Sequence, residues 1–329
     1  MHNPLSTSSS KPDRARRALL LAAALILLLE TAFSFLPENK LVKSLRAGAV
    51  AQQPDWQIMG DSVANGGIAP KQVMAALPDG ILVHNAAVAG VGPEFAFFML
   101  QRQIALGKAP GAIVYAPSPH TFGSERVALL VGGYARWGEI ATIARLGVEI
   151  PEVIYGVLCK FSYTLRYREF LGGLLKGNRL GDLGGMLKGR GLDAEGQDVT
   201  LSGEASAKHY TVETVHPMYR KPFEITHFNR ALLEKFLGLA NKHRIPVYWF
   251  TLPVISAVAE GRSTYHFNAD YESFLNDLET RHHIIVLQRD FLIWDEANFL
   301  DQTHLNSVGA ERISKLLGEK LSGLQKHAK

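Results

Sequence analysis

The chain has 329 residues, enough for one large domain or two small ones, and 47% of them are hydrophobic, ample for a buried core. Its formal charge of +4 comes almost wholly from residues 1–17, where Lys11, Arg14, Arg16 and Arg17 stand against Asp13. The nearly balanced remainder excludes a nucleic-acid footprint, and the single cysteine, Cys159, excludes an internal disulfide framework and a multi-cysteine metal site.

Residues 1–17 read as a cytoplasmic tail. Ala18–Leu36 is an almost unbroken apolar run, interrupted by Glu30 and a few small polar residues. At about 1.5 Å per residue, a helix of that length nearly matches the hydrocarbon core of a bilayer. The basic flank predicts a single-pass anchor in the inner (cytoplasmic) membrane, with the N-terminus inside and the domain on the periplasmic, extracytoplasmic side. Ala47-Gly48-Ala49 has the small-x-small form of a signal-peptide cleavage site. It lies too far past the apolar run, beyond Lys40, Lys43 and Arg46, so an uncleaved anchor is expected. Residues 37–54 then form a connector to a domain over 55–329.

Within that domain, apolar strands alternate with helical periodicity. Strands are predicted at Trp56–Met59, Ile81–His84, Ala112–Tyr115, Val247–Leu252 and Ile284–Leu287. Helices are predicted at Pro93–Leu106, 226–243, 269–281 and Ser307–Leu324. This βα alternation predicts an α/β fold with a parallel sheet and helices on both faces. Residues 122–222 interrupt it. Arg126–Leu171 is helical and apolar, and ten glycines then fall between Gly172 and Gly203 among basic residues. The insertion reads as a cap over the strand ends, as a partly disordered surface insertion, or as a segment resting on the membrane surface.

Two short motifs near opposite ends of the domain carry chemistry. Gly60-Asp61-Ser62 closes the first strand, where open α/β sheets place their ligands. Asp301-Gln302-Thr303-His304 precedes the last helix. Its spacing lets the carboxylate reach one imidazole nitrogen and leaves the other free to face a serine. Together the motifs resemble those of the SGNH (GDSL-type) hydrolase family, over about residues 55–325. The resemblance implies a flavodoxin-like three-layer sandwich in which Ser62 is the nucleophile, His304 the general base and Asp301 its orienting acid. It also implies an oxyanion site built from the Ser62 amide, Gly90 and a third-block asparagine. Here the chain departs from the pattern: Ala116-Pro117-Ser118-Pro119-His120 stands where the asparagine is expected, and Ser118 and His120 read either as substitute donors or as parts of a structural turn. Asn85, with His84 beside it, reads either as a residue supporting the site from behind or as part of the core.

A tethered, exported domain of this kind is similar to the membrane-bound members that act in alginate O-acetylation and teichoic acid D-alanylation. That likeness implies an acylated polysaccharide or glycan as substrate, the cytoplasmic membrane as its location, and a membrane-bound O-acyltransferase as partner. The alternative is a catalytically weak SGNH scaffold that binds glycan or an assembly partner. No cofactor or metal is expected. Gly90-Val91-Gly92 lacks the third glycine of a dinucleotide fingerprint, which is Phe95 here. His209, His216 and His227 lack metal-ligand spacing, and His282-His283 would point to opposite faces of a strand.

Overall fold

Five short runs rich in apolar residues form the central sheet. A computed structural model describes residues 10–34, 52–166 and 209–327. The strands are β1 (Trp56–Gly60), β2 (Val83–Asn85), β3 (Ala112–Ala116), β4 (Val247–Phe250) and β6 (Ile285–Gln288). They lie in the order β2-β1-β3-β4-β6, and every neighbouring pair is parallel. Trp56 pairs with Val83 on one side and with Ala112 on the other. The chain first winds from β1 out to β2 and then returns past β1 to β3. The order therefore reverses beside β1, and such a switch point opens a crevice at the carboxyl ends of the strands.

Side chains alternate between two cores, as the two-residue period of a strand requires. Met59, Ile113, Tyr115 and Trp249 face α4 (Pro93–Ala105), α9 (His227–Lys242) and α11 (Phe267–His282). Ile58, Val83, Val114 and Phe250 face α2 (Ser62–Gly67), α3 (Pro70–Met74) and α12 (Ser307–His327). The result is a three-layer α/β sandwich. Gln57 alternates with Ile58 and so points into an apolar layer. It is satisfied there by Gln103 of α4, each amide donating to the other at 3.0 and 2.7 Å.

The predicted strands and long helices all form, with ends shifted by a few residues. One larger difference is a small two-stranded parallel sheet, β5 (Val254–Ile255) with β7 (Ile293–Trp294), followed in sequence after β5 by α10 (Ser256–Ser263). Two-residue strands are too short to show any period. His282 and His283 do not sit on a strand: His282 ends α11, and His283 caps it in the left-handed region with φ 53°.

The helical part of the insertion comprises α5 (Val127–Leu129) running into a π-turn at Leu130–Tyr134, then α6 (Trp137–Ala144), α7 (Ile150–Phe161) and α8 (Tyr163–Arg166). Val127, Leu130, Val131, Ile143 and Val153 are buried in the same core as α4. This portion therefore shares the core of the domain. The glycine-rich portion, Gly172 to Gly203, lies outside the described residues, as does the connector over 37–51.

Helix α1 spans Ser10–Ser34, starting before the apolar run. Phe35 and Leu36, at the end of that run, lie outside the described residues. Among the described residues, no helix is long and apolar enough to cross a membrane.

Gly60 shows how tightly the end of β1 is packed. A Cβ there would overlap the Ala116 carbonyl oxygen and lie 2.8 Å from the Ala64 Cβ. Gly60→Ala should therefore force β1 and β3 apart and cost about 1–3 kcal/mol, the usual range for overpacking. A urea midpoint unchanged from wild type would show that the strand ends are more pliable than this.

Candidate active site

Ser62 is the first residue of α2, directly after β1 and Asp61. The chain turns there because Asp61 is extended and caps the helix: its Oδ1 accepts the Val63 amide at 2.9 Å. The same carboxylate reaches across to the end of β3. Oδ2 accepts the Ser118 amide at 2.8 Å, and Oδ1 accepts the Ser118 hydroxyl at 3.0 Å. Burial raises the Asp61 pKa, opposed by the hydrogen bonds from Ser118 and Val63. Sequence reasoning gave Asp61 no role beyond its motif. Its signal, a buried carboxylate serving two strand ends, exists only in three dimensions.

Asn85, expected to support the site, does so through α2. Its amide donates to the Ala64 and Ile68 carbonyls, both at 2.9 Å, and its Oδ1 accepts from the Ala87 amide at 3.0 Å. Asn65 donates to the Ala87 carbonyl at 2.7 Å. The helix bearing Ser62 is thus bound to the segment that leads from β2 toward Gly90.

The second motif lies on the loop before α12. Asp301 Oδ1 accepts the backbone amides of Thr303 and His304, each at 2.8 Å, which folds the loop tightly enough to bring the ring back over the carboxylate. Leu300 donates to the His304 carbonyl at 2.7 Å, and Asn306 ties the loop to the Ala297 carbonyl at 2.7 Å. His304 Nδ1 lies 2.8 Å from Asp301 Oδ2, and His304 Nε2 lies 2.9 Å from Ser62 Oγ. Burial alone would raise the Asp301 pKa, but the bonds from the His304 ring and backbone and from Thr303 bring it down to about 2. An ionised carboxylate only accepts, so Nδ1 carries the proton and Nε2 presents its lone pair to the serine hydroxyl; this tautomer follows from the hydrogen-bond network.

The four residues predicted as oxyanion donors fare differently. Ser62, as the first residue of its helix, has an amide with no intrahelical acceptor. Gly90 sits at φ 80°, a conformation that suits glycine, and its carbonyl accepts from Arg126 Nη1 at 3.0 Å. Ser118 is turned to Asp61 by both its amide and its hydroxyl, so these donors are already used. His120 stands at the start of a 3-10 turn (Pro119–Gly123), its ring edge-on to Tyr219 with centroids 5.1 Å apart. Its Nδ1 is buried without a partner. Burial, followed by the charges of Arg262, Arg126 and His304, pushes its pKa down to about 3, so the ring is neutral.

Sequence reasoning missed the group behind this ring. Tyr219 is buried and hydrogen-bonds Thr303 within the Asp301–His304 motif. Arg262 is buried against the rings of Phe267 and Phe291, with centroids 4.6 and 4.5 Å away, and its Nε and Nη1 have no partner. Nothing in their spacing could have found them, since they come from α10 and from a turn at Pro217–Tyr219. His209 pairs instead with Glu296 at 3.1 Å. Among the described residues, no group of three His, Cys, Asp or Glu side chains is placed to hold a metal.

The double duty of Asp61 gives a sharp expectation. Both oxygens face backbone N–H groups, so either orientation of the amide in Asp61→Asn sets an NH₂ against a donor. The variant should lose about 1–3 kcal/mol of stability, the cost of an unsatisfied buried group, measured by urea unfolding. A neutral result would mean that water replaces the lost acceptor.

Comparison with known proteins finds no family model that matches the chain and no curated protein that matches it.

Proposed function

We propose that this protein is a membrane-anchored, extracytoplasmic SGNH-type serine esterase or O-acyltransferase, acting on acyl groups of a cell-envelope polysaccharide. One observation carries the reading: Ser62, His304 and Asp301 form a continuous hydrogen-bonded chain with links of 2.9 and 2.8 Å, although 242 positions separate the serine from the histidine. The sheet order and the site's place beside the switch point agree with it.

In this reading Ser62 Oγ attacks the acyl carbon while its proton passes to His304 Nε2. The carbonyl electrons move onto oxygen, giving a tetrahedral intermediate. Its collapse expels the donor alcohol, which takes the proton from His304, and the acyl group remains on Ser62 as an ester. The acceptor, water or a sugar hydroxyl, then gives its proton to His304 and attacks that ester; as the Oγ–acyl bond breaks, Ser62 Oγ takes the proton back from His304 and the acid or new ester leaves. Asp301 stabilises the imidazolium formed in each half.

The oxyanion is served by the Ser62 and Gly90 amides. With Ser118 occupied by Asp61, His120 takes the place of the absent asparagine. A ring held neutral donates without adding charge to the site, as preorganised oxyanion donors do. The absent asparagine also supports a second reading, a weak SGNH scaffold that binds glycan or an assembly partner. Losing one oxyanion donor costs ~3 kcal/mol in the transition state.

The membrane part of the proposal rests on α1. Leu19, Leu20, Leu21, Leu25, Leu27 and Leu28 are all exposed, so this stretch of the helix is apolar around its circumference, and Arg14, Arg16 and Arg17 lie in the turns of α1 just before it. The acyl donor and acceptor classes, and a membrane-bound O-acyltransferase as partner, come from the family resemblance alone.

Incubation with nitrophenyl acetate should leave an acetyl ester on Ser62, read by mass spectrometry. Ser62→Ala should abolish labelling and His304→Ala nearly so, while Asp301→Ala retains more than either. No labelling of the wild type, together with unchanged envelope acylation in cells carrying Ser62→Ala, would leave the scaffold reading in its place.

The same reaction has a predictable pH dependence. The Asp301 carboxyl ionises below its ordinary value of about 4, so its contribution is complete above that pH and fades as pH falls toward 2. The labelling rate should therefore show one acid limb above about pH 4, from a single imidazole. A second limb in that range would mean that Asp301 is not held ionised.

A further inference from the structure

Glu30 is the one acid in the apolar run of α1. It lies near the carboxyl end of that helix and is held by the domain. Its carboxylate accepts from the Ser162 hydroxyl and from the Thr164 amide, the latter at 3.1 Å, at the corner between α7 and α8. In the topology proposed above, this end of α1 emerges on the exported side. The α7–α8 corner is then fixed at the level where α1 leaves the bilayer.

Helix α7 has two unlike faces. Its inner face, Val153, Gly156 and Cys159, packs on the π-turn of α5 so closely that a Cβ on Gly156 would lie 2.6 Å from Val131 Cβ. Its outer face carries Ile150, Ile154, Leu158 and Phe161, exposed by 55, 54, 48 and 71%. These positions recur every three or four residues, so they form one stripe along the helix. Trp137 of α6 extends it: 59% exposed, its ring lies 5.4 Å from Phe161, with the Lys160 ammonium 5.4 Å above it.

We propose that this stripe is a membrane-resting surface, seated in the headgroup–acyl boundary of the bilayer that α1 enters. Three observations select lipid as the occupant. The stripe adjoins α1 at the helix end where the bilayer surface lies. Its composition is that of an interfacial helix, with aliphatic groups in a row and an aromatic pair at one end, beside which the Lys160 ammonium bonds the Ala135 carbonyl. A row of large exposed apolar side chains also exceeds the scattered ones of an ordinary solvated surface. The inference rests on the membrane reading of α1.

The arrangement has a consequence for the site. Between the inner side of α7 and α5 lies a groove of about 570 Å³, lined by Arg126, Leu129, Gly132, Tyr155, Cys159 and Leu165. Arg126 is also the residue that holds the Gly90 carbonyl. The groove, which Glu125 and Glu152 also line, thus borders the proposed oxyanion glycine through Arg126.

Full-length protein in proteoliposomes, with part of the phospholipid brominated near the top of the acyl chains, tests this directly. Trp56, Trp249 and Trp294 are buried, so the difference between wild type and Trp137→Phe isolates the Trp137 emission. Carbonate extraction reports separately on α1. The expected result is resistance to carbonate, loss of most of the Trp137 emission to bromine, and recovery of that emission in Ile154→Glu/Leu158→Glu with carbonate resistance kept. Circular dichroism should show both variants folded, since every substituted position is exposed. Carbonate resistance with Trp137 unquenched would overturn the resting surface and leave the anchor standing. Extraction by carbonate with Trp137 unquenched would overturn both.

Discussion

The Asp61 carboxylate is the interaction on which the site depends. A buried anion must have its lone pairs filled, and three donors from two strand ends fill these: the Val63 amide, the Ser118 amide and the Ser118 hydroxyl. The first donor starts α2 at Ser62. The other two hold the exit of β3 against the exit of β1. Gly60 allows this closeness, because its missing side chain leaves room for the Ala116 carbonyl. Position and orientation of Ser62 are therefore consequences of satisfying one buried charge.

The same constraint explains how the site departs from the SGNH pattern. Ser118 stands where a side-chain donor to the oxyanion is expected, but its donors are committed to Asp61. His120, two residues on, is neutral because it is buried among cations. After burial itself, Arg262 acts most strongly on it, and that guanidinium is buried against Tyr219 and two phenylalanines. Tyr219 touches both His120 and Thr303, so the turn at Pro217–Tyr219 connects the third-block segment to the Asp301–His304 loop. The proposed substitute donor, His120, is thus coupled to the Asp301–His304 loop through Tyr219.

The insertion serves two layers at once. Val131 and Val153 are buried with α4 and contribute to the domain core, while the outer side of α7 stays apolar and uncovered. The Gly132 and Gly156 positions let these helices approach closely, which keeps α7 rigidly placed relative to Arg126 and Gly90. Membrane attachment and the proposed chemistry would therefore be mechanically connected through packed helices, and not through a long flexible cap.

Much was legible in the sequence because it is local. The strands and long helices follow from two- and 3.6-residue periods. The Asp301–His304 pairing follows from a three-residue spacing that any tight loop can close. The Gly60-Asp61-Ser62 motif marked the first strand's exit, whereas Asn85 could be read equally as a core residue, since its bonds to α2 join separate segments. What the tertiary structure decided is everything that needs distant segments to meet. Ser62 and His304 face each other only because β1 lies inside the sheet, between β2 and β3, and α12 packs beside α2. The commitment of Ser118 to Asp61, the burial that neutralises His120, and the group of Tyr219, Thr303 and Arg262 all join residues far apart in sequence. The boundary of the insertion was illegible for the same reason: its apolar residues have helical spacing whether they face a core or lipid, and only packing against α4 tells the two faces apart.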